Sequence, residues 1–338
     1  MDRRHFLTTE LAGLAAAAWA ATVWKTSTAS ARPPGDPETG IAAGTAPEAA
    51  RSEPQQVDRA LPPIIDTHTH FYDPTRPEGV PWPSPNNPLL YRPVLPGEFR
   101  RLAEPLGVVG TVVVEASPWV EDNAWLLKLA DAEPFLVGVV GRLDTRSVEF
   151  EAQLTRFARH PRYRGIRISA NELREGLTGK LVERCRLIVE QRLELDVNGG
   201  PDTPAAVAQL AERVPELRIV INHAANQRID GMAPPAAYRE AMRAAARFPL
   251  VYCKVSALVE QTSQRPAPQN VDFYRPMLDL LWNCFGEDRL LYGSNWPVSL
   301  SAAPYATVLD IVRTYFQTKP PAAEAKFFRD NALTAYAR

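Results

Sequence analysis

Arg218-Ile219-Val220-Ile221-Asn222-His223 is the stretch on which the fold turns. Three branched apolar residues follow one another with no polar residue between them, and two polar residues end the run. A half-exposed strand alternates apolar and polar side chains. An uninterrupted run fits a strand covered on both faces, as in a parallel sheet flanked by helices. Val112-Val113-Val114 repeats the pattern. Working outward from these two runs, short strands are predicted at 64–66, 110–114, 136–140, 165–168, 193–197, 218–221, 251–255 and 290–292. Segments with helical spacing lie between them, at roughly 97–106, 121–132, 148–159, 179–191, 204–213, 235–247, 273–284 and 305–315, with a last one at 322–336. Eight consecutive strand–helix units predict an α/β protein, a (β/α)8 TIM barrel of one domain. An open doubly wound sheet shares the alternation, but no glycine-rich phosphate loop follows the first strand.

The barrel accounts for residues 61–338. Residues 1–31 read as a twin-arginine signal peptide: Arg3-Arg4-His5-Phe6-Leu7, an Ala-rich apolar run from Leu11 to about Val23, and the cleavage site Ala29-Ser30-Ala31. That run is short of the about 20 apolar residues that a membrane span requires. An anchoring amphipathic helix is the other reading of this segment. Residues 32–60 form a Pro/Ala-rich linker with almost no large apolar residues, the composition of disorder. The expected protein is exported to the periplasm or beyond the cytoplasm, with no membrane span in the mature chain. A formal net charge of −1 gives no support to a nucleic-acid partner and leaves a small-molecule substrate as the expected one. Cys185, Cys253 and Cys284 are odd in number and sit in apolar surroundings, so buried free thiols are expected rather than disulfides.

Active sites of such barrels lie at the C-terminal ends of the strands. The first strand ends in Asp66-Thr67-His68-Thr69-His70. Strand side chains two apart share a face, so Asp66, His68 and His70 are expected to point the same way. Two imidazoles so placed can bind one metal ion or act on one substrate. His-x-His alone is a weak pattern, and its position at a strand end is what strengthens it. His223 ends the sixth strand, whereas His160, before Pro161, reads as a solvated or capping residue. His68, His70 and His223 are therefore candidate catalytic residues. They are also candidate ligands for one divalent metal ion, zinc first. Glu115 and Asp196, near the ends of strands two and five, are candidate general bases. Arg167 can hold a substrate carboxylate or carbonyl by a two-pronged hydrogen bond, or pair with Glu115. Arg142 ends strand three, and Lys254 can face into or out of the barrel. The connection 71–96 carries Phe71, Tyr72, Trp82 and Tyr91 among many prolines, a stiff aromatic loop suited to a pocket wall. Tyr72, Trp119 and Trp296 are candidates for apolar substrate contacts, with ordinary rim packing as the alternative.

Taken together, Asp66-x-His68-x-His70, Arg164-Gly165-Ile166-Arg167, Ile221-Asn222-His223 and Gly293-Ser294-Asn295-Trp296-Pro297 resemble the amidohydrolase-related family in order and spacing. The chain looks most like its lactonase branch, which includes sugar-lactone and 2-pyrone-4,6-dicarboxylate lactonases. The resemblance runs from about Pro63 to Ala337. It implies a (β/α)8 barrel that hydrolyses a small lactone, ester or amide. Some members of the family use one divalent metal, some lactonases use none, and other relatives are zinc-dependent decarboxylases. One departure stands out. The resemblance implies an Asp at the strand-eight motif as general base, and this chain has Asn295. A neutral amide cannot take the proton of the attacking water and is a poorer cation ligand. Either another base, Glu115 or Asp196, acts around Asn295, or the site has lost or changed its chemistry. Three readings follow: a lactone hydrolase, a metal-dependent decarboxylase, and a barrel that binds a ligand without turnover.

Overall fold

The computed structural model describes residues 62–177 and 179–338; the expected signal peptide and linker lie outside the described residues. Eight strands follow in chain order: β1 (Ile64–Thr69), β2 (Val108–Val114), β3 (Leu136–Gly141), β4 (Tyr163–Ser169), β5 (Glu194–Asn198), β6 (Ile219–Ile221), β7 (Val251–Val255) and β8 (Leu290–Tyr292). Each pairs in parallel with the next. The ring closes just beyond β8. Thr69 bridges Trp296 in parallel, the His70 N–H donates to the Trp296 carbonyl (2.9 Å), and the Asn295 N–H donates to the His68 carbonyl (2.9 Å). The seam of the barrel is thus built from the two segments that carry candidate site residues.

Among the described residues the main helices are α1 (Pro96–Ala103), α2 (Glu121–Ala132), α3 (Phe150–Ala158), α4 (Ala170–Gly176), α5 (Leu181–Glu190), α6 (Thr203–Arg213), α7 (Ala236–Ala246), α8 (Val271–Phe285) and α9 (Tyr305–Phe316), followed by the short α10 (Pro321–Ala325) and α11 (Asn331–Ala335). Their apolar stripes and the outer strand faces form one continuous core. A second core lies inside the barrel, where Ile65, Val112, Val114, Val140, Val220 and Leu291 meet Ala332, Ala335 and Tyr336. The C-terminal segment therefore plugs the barrel from the end opposite the candidate site. It was expected as one helix over 322–336 and is instead broken by a π-turn at Lys326–Asp330. The sequence reading also missed α4. Its signal was present: Ser169 and Glu172 form a reciprocal capping box at the end of β4. Cys185 and Cys253 are buried and Cys284 is half-buried, all three as free thiols.

Candidate active site

β1 does not run straight into the site. Asp66 pairs with Thr111 but Thr69 with Val113, so three steps on β1 span two on β2. Such a bulge changes which side chains face inward. Asp66 turns to the outer layer, where one carboxylate oxygen accepts from the N–H groups of His68 (3.1 Å) and Ser294 (2.9 Å) and the other from the Tyr305 hydroxyl on α9 (3.2 Å). Complete burial raises its pKa to about 6. The expectation that Asp66 shares a face with His68 and His70 is corrected: it clamps the barrel seam. Gly293 makes room for His68, since a Cβ there would lie 2.9 Å from the His68 Cβ.

His68, His70 and His223 do come together. The His68 ring lies 5.0 Å from that of His70 and 4.2 Å from that of His223, centre to centre. His223 is placed by a tight left-handed turn after β6, with positive φ from His223 to Asn226. Non-glycine residues rarely adopt that conformation, and such strain clusters at functional sites. All three rings are buried, and burial is the main force lowering their pKa values. His70 is pushed down to about 3, and His68 and His223 fall well below the usual imidazole range. The positive charges of Arg167 and Lys254 add to the effect. The three imidazoles are neutral at neutral pH.

Their partners assign two of the tautomers. Lys254 faces into the barrel, fully buried, with Nζ 2.6 Å from Asp196 Oδ2 and 3.3 Å from His68 Nδ1. An ammonium only donates, so His68 Nδ1 accepts and its ring proton sits on Nε2, a buried atom with no other partner. His70 Nδ1 lies 2.9 Å from the Val114 carbonyl oxygen, which only accepts, so the His70 proton sits on Nδ1. Its Nε2 is 3.3 Å from Asn295 Oδ1. Asn295 in turn donates from Nδ2 to Glu260 Oε1 (2.8 Å). His223 Nδ1 is 2.8 Å from the Ser256 hydroxyl.

Beside the histidines opens a cleft of about 300 Å³, lined by His70, Trp82, Glu115, Ser117, Arg142 and Arg167 among others. Arg167 donates from Nε to Glu115 Oε1 (2.9 Å) and from Nη2 to the Glu115 carbonyl (2.8 Å). Arg142 pairs with Glu172 at 2.8 Å. Asp196 is spent on Lys254 and on the Tyr336 hydroxyl (3.1 Å), beneath the site, which removes it as a base. Glu115 reaches the cleft, but Arg167 holds its carboxylate.

The three aromatic candidates lie outside the lining of this cleft, which favours the packing alternative for them. Trp296 is 1 % exposed and packs against Phe71 and Phe99 at the seam. Tyr72 is buried, donates its hydroxyl to the Leu90 carbonyl and anchors the 71–96 loop. Trp119 is 40 % exposed and does not line the cleft. With Tyr72 it borders a crevice of about 10 Å³, room for about one water. The cleft wall is Trp82, edge-on to His70 at 6.0 Å and braced by Tyr72 at 5.2 Å. Its signal was the aromatic loop itself. His160 hydrogen-bonds Asp131 at the ends of α3 and α2, away from the site.

A sequence profile of the amidohydrolase family matches residues 65–338. This chain belongs to the amidohydrolase family. An L-fucono-1,5-lactonase from Burkholderia ambifaria is 33% identical over 244 residues, 71% of this chain and 82% of the relative. An L-fucono-1,5-lactonase from Burkholderia multivorans is 27% identical over 277 residues, 77% of this chain and 90% of the relative. An amidohydrolase structure from Burkholderia multivorans with bound zinc superimposes with a TM-score of 0.73 at 26% identity, covering 82% of this chain and 99% of that one.

In this amidohydrolase the donor set does not fit the expected ion at His68, His70 and His223. Among the described residues no three His, Cys, Asp or Glu side chains are arranged to hold a metal. His68 meets an ammonium on one nitrogen and carries its own proton on the other, so neither nitrogen has a lone pair free for a metal ion. A cation would also sit close to Lys254, with an amide where a carboxylate would help.

The Lys254–Asp196 pair under the amidohydrolase site carries a stability prediction. Lys254→Met removes the cation and leaves Asp196 buried without an opposite charge on its carboxylate. Losing one partner of a buried pair costs about 3–5 kcal/mol. Urea unfolding of the variant is expected to show a loss of that order; a change within the error of the wild-type value contradicts this account of the pair.

Proposed function

We propose that this amidohydrolase hydrolyses an uncharged sugar-acid lactone in the cleft beside His70, without a resident metal ion. The observation that carries the reading is the charge of the cleft. Both of its arginines are already neutralised, Arg167 by Glu115 and Arg142 by Glu172, so it has no spare cation for a dicarboxylate. Its polar groups suit hydroxyls and a carbonyl. The L-fucono-1,5-lactonase relatives act on a lactone of that kind.

Water attacks the carbonyl carbon. The His68 Nε2–H, held in that tautomer by Lys254, donates to the oxygen as negative charge develops. His70 Nε2, the nitrogen left without a proton, takes the proton of the attacking water. It returns that proton to the ring oxygen as the C–O bond breaks. His223 closes the third side of the histidine cluster. Decarboxylation on the same scaffold calls for a firm metal centre, which the donor set does not favour.

Two measurements test this. Neutral aldonolactones should be turned over with kcat/KM at least about 10²-fold above that for pyrone dicarboxylate, the scale set by one unmatched buried charge. No turnover across the lactone panel would overturn the function. Dialysis against a strong chelator should leave the rate unchanged; a large loss that zinc restores would overturn the metal-free mechanism.

A further inference from the structure

Asp66 is held at the seam by two N–H groups and a hydroxyl, and of the other carboxylates near the cleft one stands apart. Glu115, Glu172 and Asp196 are each paired with a cation. Glu260, on the connection after β7, has no cation on its carboxylate among the described residues. Its Oε1 accepts from the Asn295 amide at 2.8 Å, and its Oε2 is buried with no hydrogen-bond partner. Asn295 itself has positive φ (59°), so its backbone holds a conformation that non-glycine residues rarely adopt. The result is an unbroken line from His70 Nε2 through Asn295 to Glu260.

We propose that Glu260 is a positioning residue for the reaction: through Asn295 it orients the His70 ring and supplies the negative charge that stabilises the proton His70 takes up.

An ionised Glu260 only accepts, so it draws the Nδ2 end of Asn295 toward itself and turns Oδ1 toward His70. In the resting site Oδ1 then faces the unprotonated Nε2, two acceptors in contact. The distances agree, 3.3 Å on the His70 side against 2.8 Å on the Glu260 side. When the water O–H bond breaks and the proton arrives on Nε2, the same contact becomes an N–H donating to Oδ1. The carboxylate beyond it balances the imidazolium charge. The proton then passes to the ring oxygen as the lactone C–O bond breaks, and the line returns to its resting state. If Glu260 is protonated, it becomes a donor and the amide turns over. Nδ2 then donates to His70 Nε2 and blocks the lone pair.

The surroundings of Glu260 support this role. Burial raises its pKa to about 7, opposed by the Asn295 hydrogen bond. The other groups that face it are Arg265, whose guanidinium donates to the Glu260 backbone carbonyl at 3.3 Å, and the Tyr274 phenol on α8. Activity should therefore rise with pH through about 7, as Glu260 ionises and frees the His70 lone pair.

The proposal rests on the reading of His70 as base, and the test separates the two. Glu260→Gln keeps a hydrogen-bonding partner for Asn295 but removes the charge. In the full chain kcat should fall by about 10- to 100-fold, the loss of one charge-assisted link. KM should stay within about twofold, because Glu260 does not line the cleft, and the limb of the pH profile near 7 should vanish. Glu260→Asp, which keeps the charge, should recover part of the rate. A Glu260→Gln variant with wild-type kcat and profile overturns the proposal. Independently of turnover, the Asn295 side-chain amide resonances should shift as the pH passes through about 7 in the wild type and not in Glu260→Gln. Absence of that shift in the wild type overturns the link. A wild type that shows the shift but hydrolyses no lactone overturns the function reading instead.

Discussion

His70→Ala is expected to lower kcat by about 10²–10⁴-fold, the range a positioned general base supplies. His70 is the histidine that lines the cleft, and its Nδ1 is fixed on the Val114 carbonyl, so its reactive nitrogen has one direction. Its low pKa keeps it unprotonated across the working range. His68→Ala should fall by about 10²–10³-fold, the usual effect of removing one oxyanion donor. The two losses should differ in kind. The His70 variant removes the pH limb that Glu260 imposes through Asn295, and the His68 variant keeps it. His223→Ala belongs in the same series, since its ring packs directly on His68. Far-ultraviolet circular dichroism and the unfolding midpoint should confirm that each variant is folded. Near-normal rates in all three would remove the histidine cluster from the chemistry.

The fold was legible because its signal is local. Ile219–Ile221 is apolar on both faces, and only a covered parallel strand tolerates that. The strands fell where the branched runs predicted them, within the few residues by which strand ends vary. The histidine cluster was legible for the same reason: each of its members ends such a run. What failed was anything set by one residue of register or by distant contact. The bulge in β1 turned Asp66 outward, and no period-two reading of Asp66-Thr67-His68-Thr69-His70 contains it. Trp296 and Tyr72 could be read as pocket or as packing aromatics, and the choice depends on Phe71, Phe99 and Leu90, which the fold brings to them. Asp196 stood as a candidate base because its partner Lys254 is 58 residues away in sequence. Glu260 was missed altogether. It lies on an irregular connection with neither strand nor helix periodicity, and only its bond to Asn295 marks it. Asn295 itself could be read as a departure from the motif, but not as one half of a pair.

That pair bears on Asn295→Asp, for which a lost base and a rebuilt site predict opposite results. If a base had simply been lost, the new carboxylate would restore it and the rate would rise. If the site is built around the amide, the rate should fall, and the structure supports this side with Glu260 as the partner rather than Glu115 or Asp196. In the variant, the carboxylate of residue 295 would replace an amide that now lies 2.8 Å from Glu260 Oε1. Two carboxylates that close cannot both ionise, and they titrate as a pair with one pKa strongly raised. The single charge they share at neutral pH would sit directly against His70 instead of one amide away. It would favour imidazolium in the resting enzyme, and a protonated His70 cannot accept from water. The expected result is a fall in kcat of about tenfold or more, with the optimum displaced toward higher pH, where the resting imidazolium gives up its proton. The exchange Asn295→Asp with Glu260→Gln supplies the decisive comparison. It keeps one carboxyl and one amide but swaps their places, so the amide introduced at position 260 donates to the new carboxylate and the like-charge contact disappears. The double variant should exceed Asn295→Asp alone by about tenfold, a coupling that independent sites do not show. A rate above wild type for Asn295→Asp alone would mean that the amide holds nothing in place and that a carboxylate at this position is the base.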